Sequence, residues 1–210
     1  MRTEDLIHTL AADAGAVRTR PFAPGLLVAA LAGGAFWLAI LVWKFGAPAQ
    51  SAYAGWFWMK AAYSVLLAVA GLMATVRLAR PGGRVGAVAW LAIATLAWLL
   101  MVAGQETMSA GPGQMAHLWL GNTWRICPVR ILILAAPVFA GALWMLRSAA
   151  PTRLALTGAA AGFFAGAVGA AVYGLYCQET AAAFVVTWYS LGIVACAALG
   201  ALAGRFLLRW

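Results

Sequence analysis

Two cysteines carry the chemistry this sequence could perform. Cys127 lies in the polar, proline-stopped stretch Asn122-Thr-Trp-Arg-Ile-Cys-Pro-Val-Arg130, and Cys177 lies in Leu175-Tyr-Cys-Gln-Glu179. Cys127 immediately precedes Pro128, and proline favours the first position of a helix. Cys127 is therefore expected at a helix N-cap, where the positive end of the dipole, together with Arg125 and Arg130, favours a thiolate. Cys177 is expected at a helix C-terminus beside Glu179, which disfavours one, so Cys127 is expected to be the more reactive thiol. A plain structural disulfide and two inert thiols are equally open readings of the same residues. The two thiols with Glu106, Glu179 or His117 could also form a soft site for a thiophilic ion, although no tight ligand spacing supports it. The third cysteine, Cys196, sits inside an apolar run and reads as a small buried hydrophobe. There is no Cys-x-x-Cys, no His-Glu-x-x-His, no glycine-rich phosphate loop and no Ser-His-Asp set.

The elements that must position these thiols are membrane helices. Of the 210 residues 65% are hydrophobic and only 9% charged, with a mean hydropathy of +0.91. Soluble domains are about 25% charged, so this chain lacks the polar side chains to cover a water-facing surface. Six apolar runs appear, near Pro24–Val42, Phe57–Val76, Val85–Ala103, Pro128–Leu146, Arg153–Tyr176 and Ala183–Leu207. Each is close to the length that crosses a hydrocarbon core of about 30 Å. The short breaks Ala79–Arg84 and Arg147–Arg153 imply antiparallel neighbours. The fold class expected is all-α: a polytopic membrane protein of six transmembrane helices.

Charge sets the expected orientation. Arg2, Arg18, Arg20, Arg77, Arg80, Arg84, Arg147, Arg153, Arg205 and Arg209 fall on one side, and Lys44, Lys60, Arg125 and Arg130 on the other. The positive-inside bias then puts both termini in the cytoplasm and both cysteines outside, where disulfides are permitted. Trp56, Trp58, Trp119 and Trp124 are expected to form an aromatic belt at the outer boundary, with Lys44 and Lys60 snorkelling there. The net charge of +9 is dispersed over the loops and forms no basic patch with stacking aromatics, so no direct nucleic-acid binding is expected. The first run is longer than a signal-peptide core and over 20 residues precede it, so it reads as a retained span. Glu106 is expected as a solvated loop carboxylate, and the uncharged span centres disfavour an ion-coupled transporter.

Residues 1–23 form the one sizeable polar segment, ahead of a membrane domain over 24–210. Thr3 can cap a helix, Glu4 and Asp5 suit its first turn, and Leu6, Ile7, Leu10 and Ala14 share one apolar face. Gly15 and Pro21 end it. A helix of about twelve residues is marginal alone in water, so its face must dock on a membrane surface or on a protein groove.

Three pieces of sequence together resemble a known family: Thr-Glu-Asp-Leu-Ile-x-x-Leu-Ala-x-Asp at Thr3–Asp13, Trp-x-x-Cys-Pro at Trp124–Pro128, and Leu-Tyr-Cys-Gln-Glu at Leu175–Glu179. Over essentially its whole length the chain resembles the NrsF-like family of bacterial integral-membrane anti-sigma factors. The resemblance implies that the N-terminal segment holds an extracytoplasmic-function (ECF) sigma factor at the inner membrane through Leu6, Ile7, Leu10 and Asp13. It implies that Cys127 and Cys177 sense heavy metals or oxidants, with no resident cofactor and no enzymatic activity. The family pattern after the second cysteine is Cys-Pro-Glu, whereas this chain has Cys177-Gln178-Glu179, which leaves that turn less rigid. Two other functions remain open on the residues alone: a thiol oxidoreductase linked to quinone, and a small transporter.

Overall fold

The computed structural model describes residues 3–13, 22–47, 55–111, 113–149 and 151–209. Among these the order of elements is α1 (Thr3–Asp13), α2 (Phe22–Phe45), α3 (Gly55–Leu78), α4 (Gly86–Ser109), α5 (Met115–Leu120), α6 (Cys127–Leu146), α7 (Leu154–Gly174), α8 (Ala182–Phe184), a π-helical turn (Val185–Tyr189) and α9 (Ser190–Leu207). α8, the π turn and α9 run on as one helix. Six helices are long and apolar enough to cross a membrane: Ala23–Phe45, Gly55–Leu78, Gly86–Ser109, Cys127–Leu146, Leu154–Gly174 and Ala182–Leu207. They coincide with the six apolar runs to within a few residues. The largest departure is α4, which continues to Ser109 and carries Glu106 inside its last turns.

α7 is the centre of the bundle. It packs most extensively on α9, then on α3 and α6, and more lightly on α2. Its sequence explains this. Gly158, Gly162 and Gly166 recur every fourth residue, and they meet Gly200, Gly204 and Cys196 of α9. A Cβ on Gly162 would collide with the Cys196 carbonyl, and one on Gly158 with the Gly200 carbonyl. In lipid, where apolar side chains gain nothing by leaving the solvent, such small-residue seams let two backbones approach and pack. α3 uses the same device: a Cβ on Gly71 would lie 2.7 Å from the Phe164 Cα.

The up-and-down order gathers two sets of ends. One end of the bundle holds the arginine-bearing turns 79–85 and 147–153. There the Thr157 hydroxyl donates to the Leu78 carbonyl at 3.2 Å and ties α7 to the end of α3. The other end gathers the start of α3, the end of α4, α5, the start of α6 and the 175–181 connection. There the Tyr176 hydroxyl donates to the Gly46 carbonyl at 3.0 Å, and its ring lies 6.2 Å from that of Phe45. The expected helix stops Gly15 and Pro21 lie outside the described residues.

Candidate functional site: a clamped thiol pair

Cys127 and Cys177 both sit at this second end, and each contributes to the electrostatic surroundings of Tyr173 and Tyr189. Both are free thiols, Cys127 with no exposed surface and Cys177 6% exposed. The structure thus brings the two sequence-predicted residues together, but it changes the expected picture of Cys127. It is the first residue of α6, with Ile126 at the N-cap, and its amide donates to the Thr123 carbonyl at 3.0 Å. The thiol faces the core and not the outer solution, so access and not the helix terminus limits its reactivity. Of the two arginines expected beside it, Arg130 is in electrostatic range and lies over the Tyr173 ring at 5.9 Å. Arg125 instead stacks on Trp124 at 4.9 Å.

The walls around the thiols are aromatic. Tyr173 and Tyr189 pack edge to face at 5.7 Å, and the Tyr189 hydroxyl is buried near Cys177 without a hydrogen bond of normal geometry. Trp124 and Trp188 close the outside with ring centroids 5.2 Å apart, and the Trp188 indole N–H donates to the Trp119 carbonyl at 2.8 Å.

Three charged side chains fasten the 177–182 connection. Lys60 is 1% exposed; its Nζ donates to the Cys177 carbonyl at 2.7 Å and the Glu179 carbonyl at 3.0 Å and lies 4.6 Å from the Trp56 ring centroid. The snorkelling expected of Lys60 is therefore replaced by burial against two carbonyls, the kind of pairing an ammonium within a span requires. Glu179 Oε1 accepts from the Asn122 amide at 2.8 Å and from the Thr123 amide and hydroxyl, each at 3.1 Å. Glu106 Oε2 accepts from the Ala182 amide at 2.7 Å, capping the last span, so it is not the solvated loop group expected. Gly121 lets the 121–126 turn close on Glu179: its φ is +55°, and a Cβ there would lie 2.7 Å from Glu179 Oε2.

Among the described residues no three His, Cys, Asp or Glu side chains come together as a metal-binding group. Of the residues considered with the thiols, both carboxylates are engaged with backbone amides and His117 is exposed on α5.

At the N-terminus, α1 carries Glu4 and Asp5 in its first turn and exposes Leu6 at 43% and Ile7 at 59%. Leu10 and Asp13 lie on the same helix; their side chains lie outside the described residues.

A bundle of six helices long and apolar enough to cross a membrane, with a buried thiol pair at one end and an acidic helix ahead of the first span, has the build of a polytopic membrane protein. The profile of the family described as "NrsF: Negative regulator of sigma F" matches residues 10–210. The chain is 45% identical over 216 residues to the "Anti-sigma-F factor NrsF" of Caulobacter vibrioides (strain NA1000 / CB15N), covering 100% of both chains. It is 40% identical over 214 residues to the "Probable anti-sigma-F factor NrsF" of Azospira oryzae (strain ATCC BAA-33 / DSM 13638 / PS), again over 100% of both. No solved structure matches. The chain belongs to the NrsF family of negative regulators of sigma F. That role is regulatory and not enzymatic, which sets aside the quinone-linked oxidoreductase.

Proposed function

We propose that this chain is an inner-membrane anti-sigma factor that holds an ECF-type sigma factor through α1 and releases it when Cys127 and Cys177 are modified. The observation that carries the reading is the full-length kinship with a protein named an anti-sigma-F factor. The arginine bias supports an orientation with both termini in the cytoplasm, which puts α1 on the side where a sigma factor works and the thiols on the side where metals and oxidants arrive. Exposed Leu6 and Ile7 on an 11-residue helix suit docking in a groove, because so short a helix is stable only against a partner. Leu10 and Asp13 complete the contact, and the segment 1–23 acts as a docking unit ahead of the membrane domain 24–210. Turning a complex from 99:1 held to 1:99 released requires about 5.5 kcal/mol. One disulfide contributes about 2–4 kcal/mol, so joining the two thiols releases the partner in part.

The test is retention. Full-length chain purified from membranes is expected to carry the cognate sigma factor, and a soluble peptide of residues 1–22 to bind it. Leu6→Asp with Leu10→Asp is expected to abolish both. A doubly substituted chain that still retains the sigma factor refutes the docking surface.

A further inference from the structure

We propose that Lys60 is the positioning residue of the thiol site: its ammonium group holds the backbone on which Cys177 sits and thereby sets how readily both thiols are reached. Lys60 reaches from the first turns of α3 to carbonyls 117 and 119 residues away in sequence. One of these belongs to Cys177 itself. The other belongs to Glu179, whose carboxylate grips Asn122 and Thr123, and the Thr123 carbonyl in turn receives the Cys127 amide. A single chain of polar contacts thus runs from Lys60 through Glu179 and Thr123 to Cys127, with Cys177 on its first link. Both carbonyls lie in the irregular 177–181 connection beyond the end of α7, where no helical amide is in register to pair with them. The ammonium supplies the donors, and Trp56 covers it with a ring face, so water does not compete. Among the described residues no carboxylate pairs with Lys60 in an ion pair, so these two carbonyls are what its burial is built on.

The consequence for regulation rests on the thiol-sensing function proposed above: a reagent reaches the pair only when the clamp opens, and anything that swells the site pulls on α3. Loss of a charged hydrogen bond shifts a local opening equilibrium by about tenfold or more.

The experiment is site-resolved labelling of the full-length chain in native membranes with N-ethylmaleimide, which is small and membrane-permeant. Rates are read at Cys127, Cys177 and, as an internal control in the α7–α9 seam, Cys196. Lys60→Met is expected to speed labelling at Cys177 and Cys127 by about tenfold and leave Cys196 unchanged. Lys60→Arg, which keeps the charge and the donors, is expected to stay closer to the parent chain. Unchanged rates at Cys127 and Cys177 overturn the proposal, and so does an equal rise at all three cysteines, which reports general loosening. Sigma-factor retention by the parent chain is scored in parallel. Its absence sinks the anti-sigma reading and leaves the labelling result standing, so the two failures are distinguishable.

Discussion

Gly71→Ala is a one-methyl test of how this bundle is held together. The added Cβ would lie 2.7 Å from the Phe164 Cα, 2.9 Å from the Phe164 amide nitrogen and 3.0 Å from Phe163 Cδ1. Ordinary carbon contacts are about 3.5–4.0 Å, so α3 and α7 must separate by about 1 Å. Two of the three obstacles are backbone, which cannot rotate away. A gap of that size forfeits a quarter to a half of the dispersion energy between facing atoms, and overpacking of this kind costs about 1–3 kcal/mol. Alanine returns about 1 kcal/mol in helix propensity, which leaves a net loss of up to about 2 kcal/mol. For a chain of this length that lowers the melting temperature by up to about 8 °C. The three cysteines are buried, so a dye that fluoresces on reaction with thiols reports unfolding directly in detergent. The control is Gly104→Ala in α4, where a Cβ meets nothing within 4 Å; there the propensity gain stands alone and Tm is expected to rise slightly. A Gly71→Ala protein that melts with or above the Gly104→Ala protein would refute the close-approach reasoning.

Three further outcomes probe neighbouring contacts. Glu106→Ala removes the acceptor for the Ala182 amide and is expected to cost about 1–2 kcal/mol, while Glu106→Gln keeps an acceptor oxygen and most of the stability; thermal unfolding of the two side by side decides it. Cys177, 6% exposed, is expected to react with a small maleimide before Cys127, which has no exposed surface; mass spectrometry of partially labelled chain that finds Cys127 modified first would contradict the burial order. Tyr63→Phe removes the 2.6 Å hydrogen bond to the Ser190 hydroxyl and is expected to lower stability by about 0.5–1.5 kcal/mol, with no change for Thr9→Val on the exposed α1.

The six spans could be read from hydropathy because in lipid every apolar run of sufficient length has one stable form. The meeting of Cys127 and Cys177 could be read from topology: the short 147–153 connection makes α6 and α7 antiparallel. The clamp could not be read in the same way. A lysine near a span end has the same local sequence whether it bends outward to water or inward to a carbonyl. The one signal in the sequence was its face: Lys60 shares a helical stripe with Ser64, Leu67 and Gly71, all buried. Glu106 gave no signal, since its partner lies 76 residues further along the chain. The expectation that Cys127 is the more reactive thiol is corrected by its burial: capping rules describe a helix end in water, whereas this thiol has no exposed surface.

The π-helical turn at Val185–Tyr189 gives the last span a phase boundary. One extra residue in a turn rotates the downstream half of a helix by about 100° relative to the upstream half. The segment before the turn can therefore aim at the thiol pair while Cys196, Gly200 and Gly204 stay aligned on α7. Sequence length is negotiable at that one turn: a residue lost between 185 and 189 is absorbed by relaxing to an ordinary helix, whereas the same loss near 198 swings Gly200 and Gly204 out of the seam.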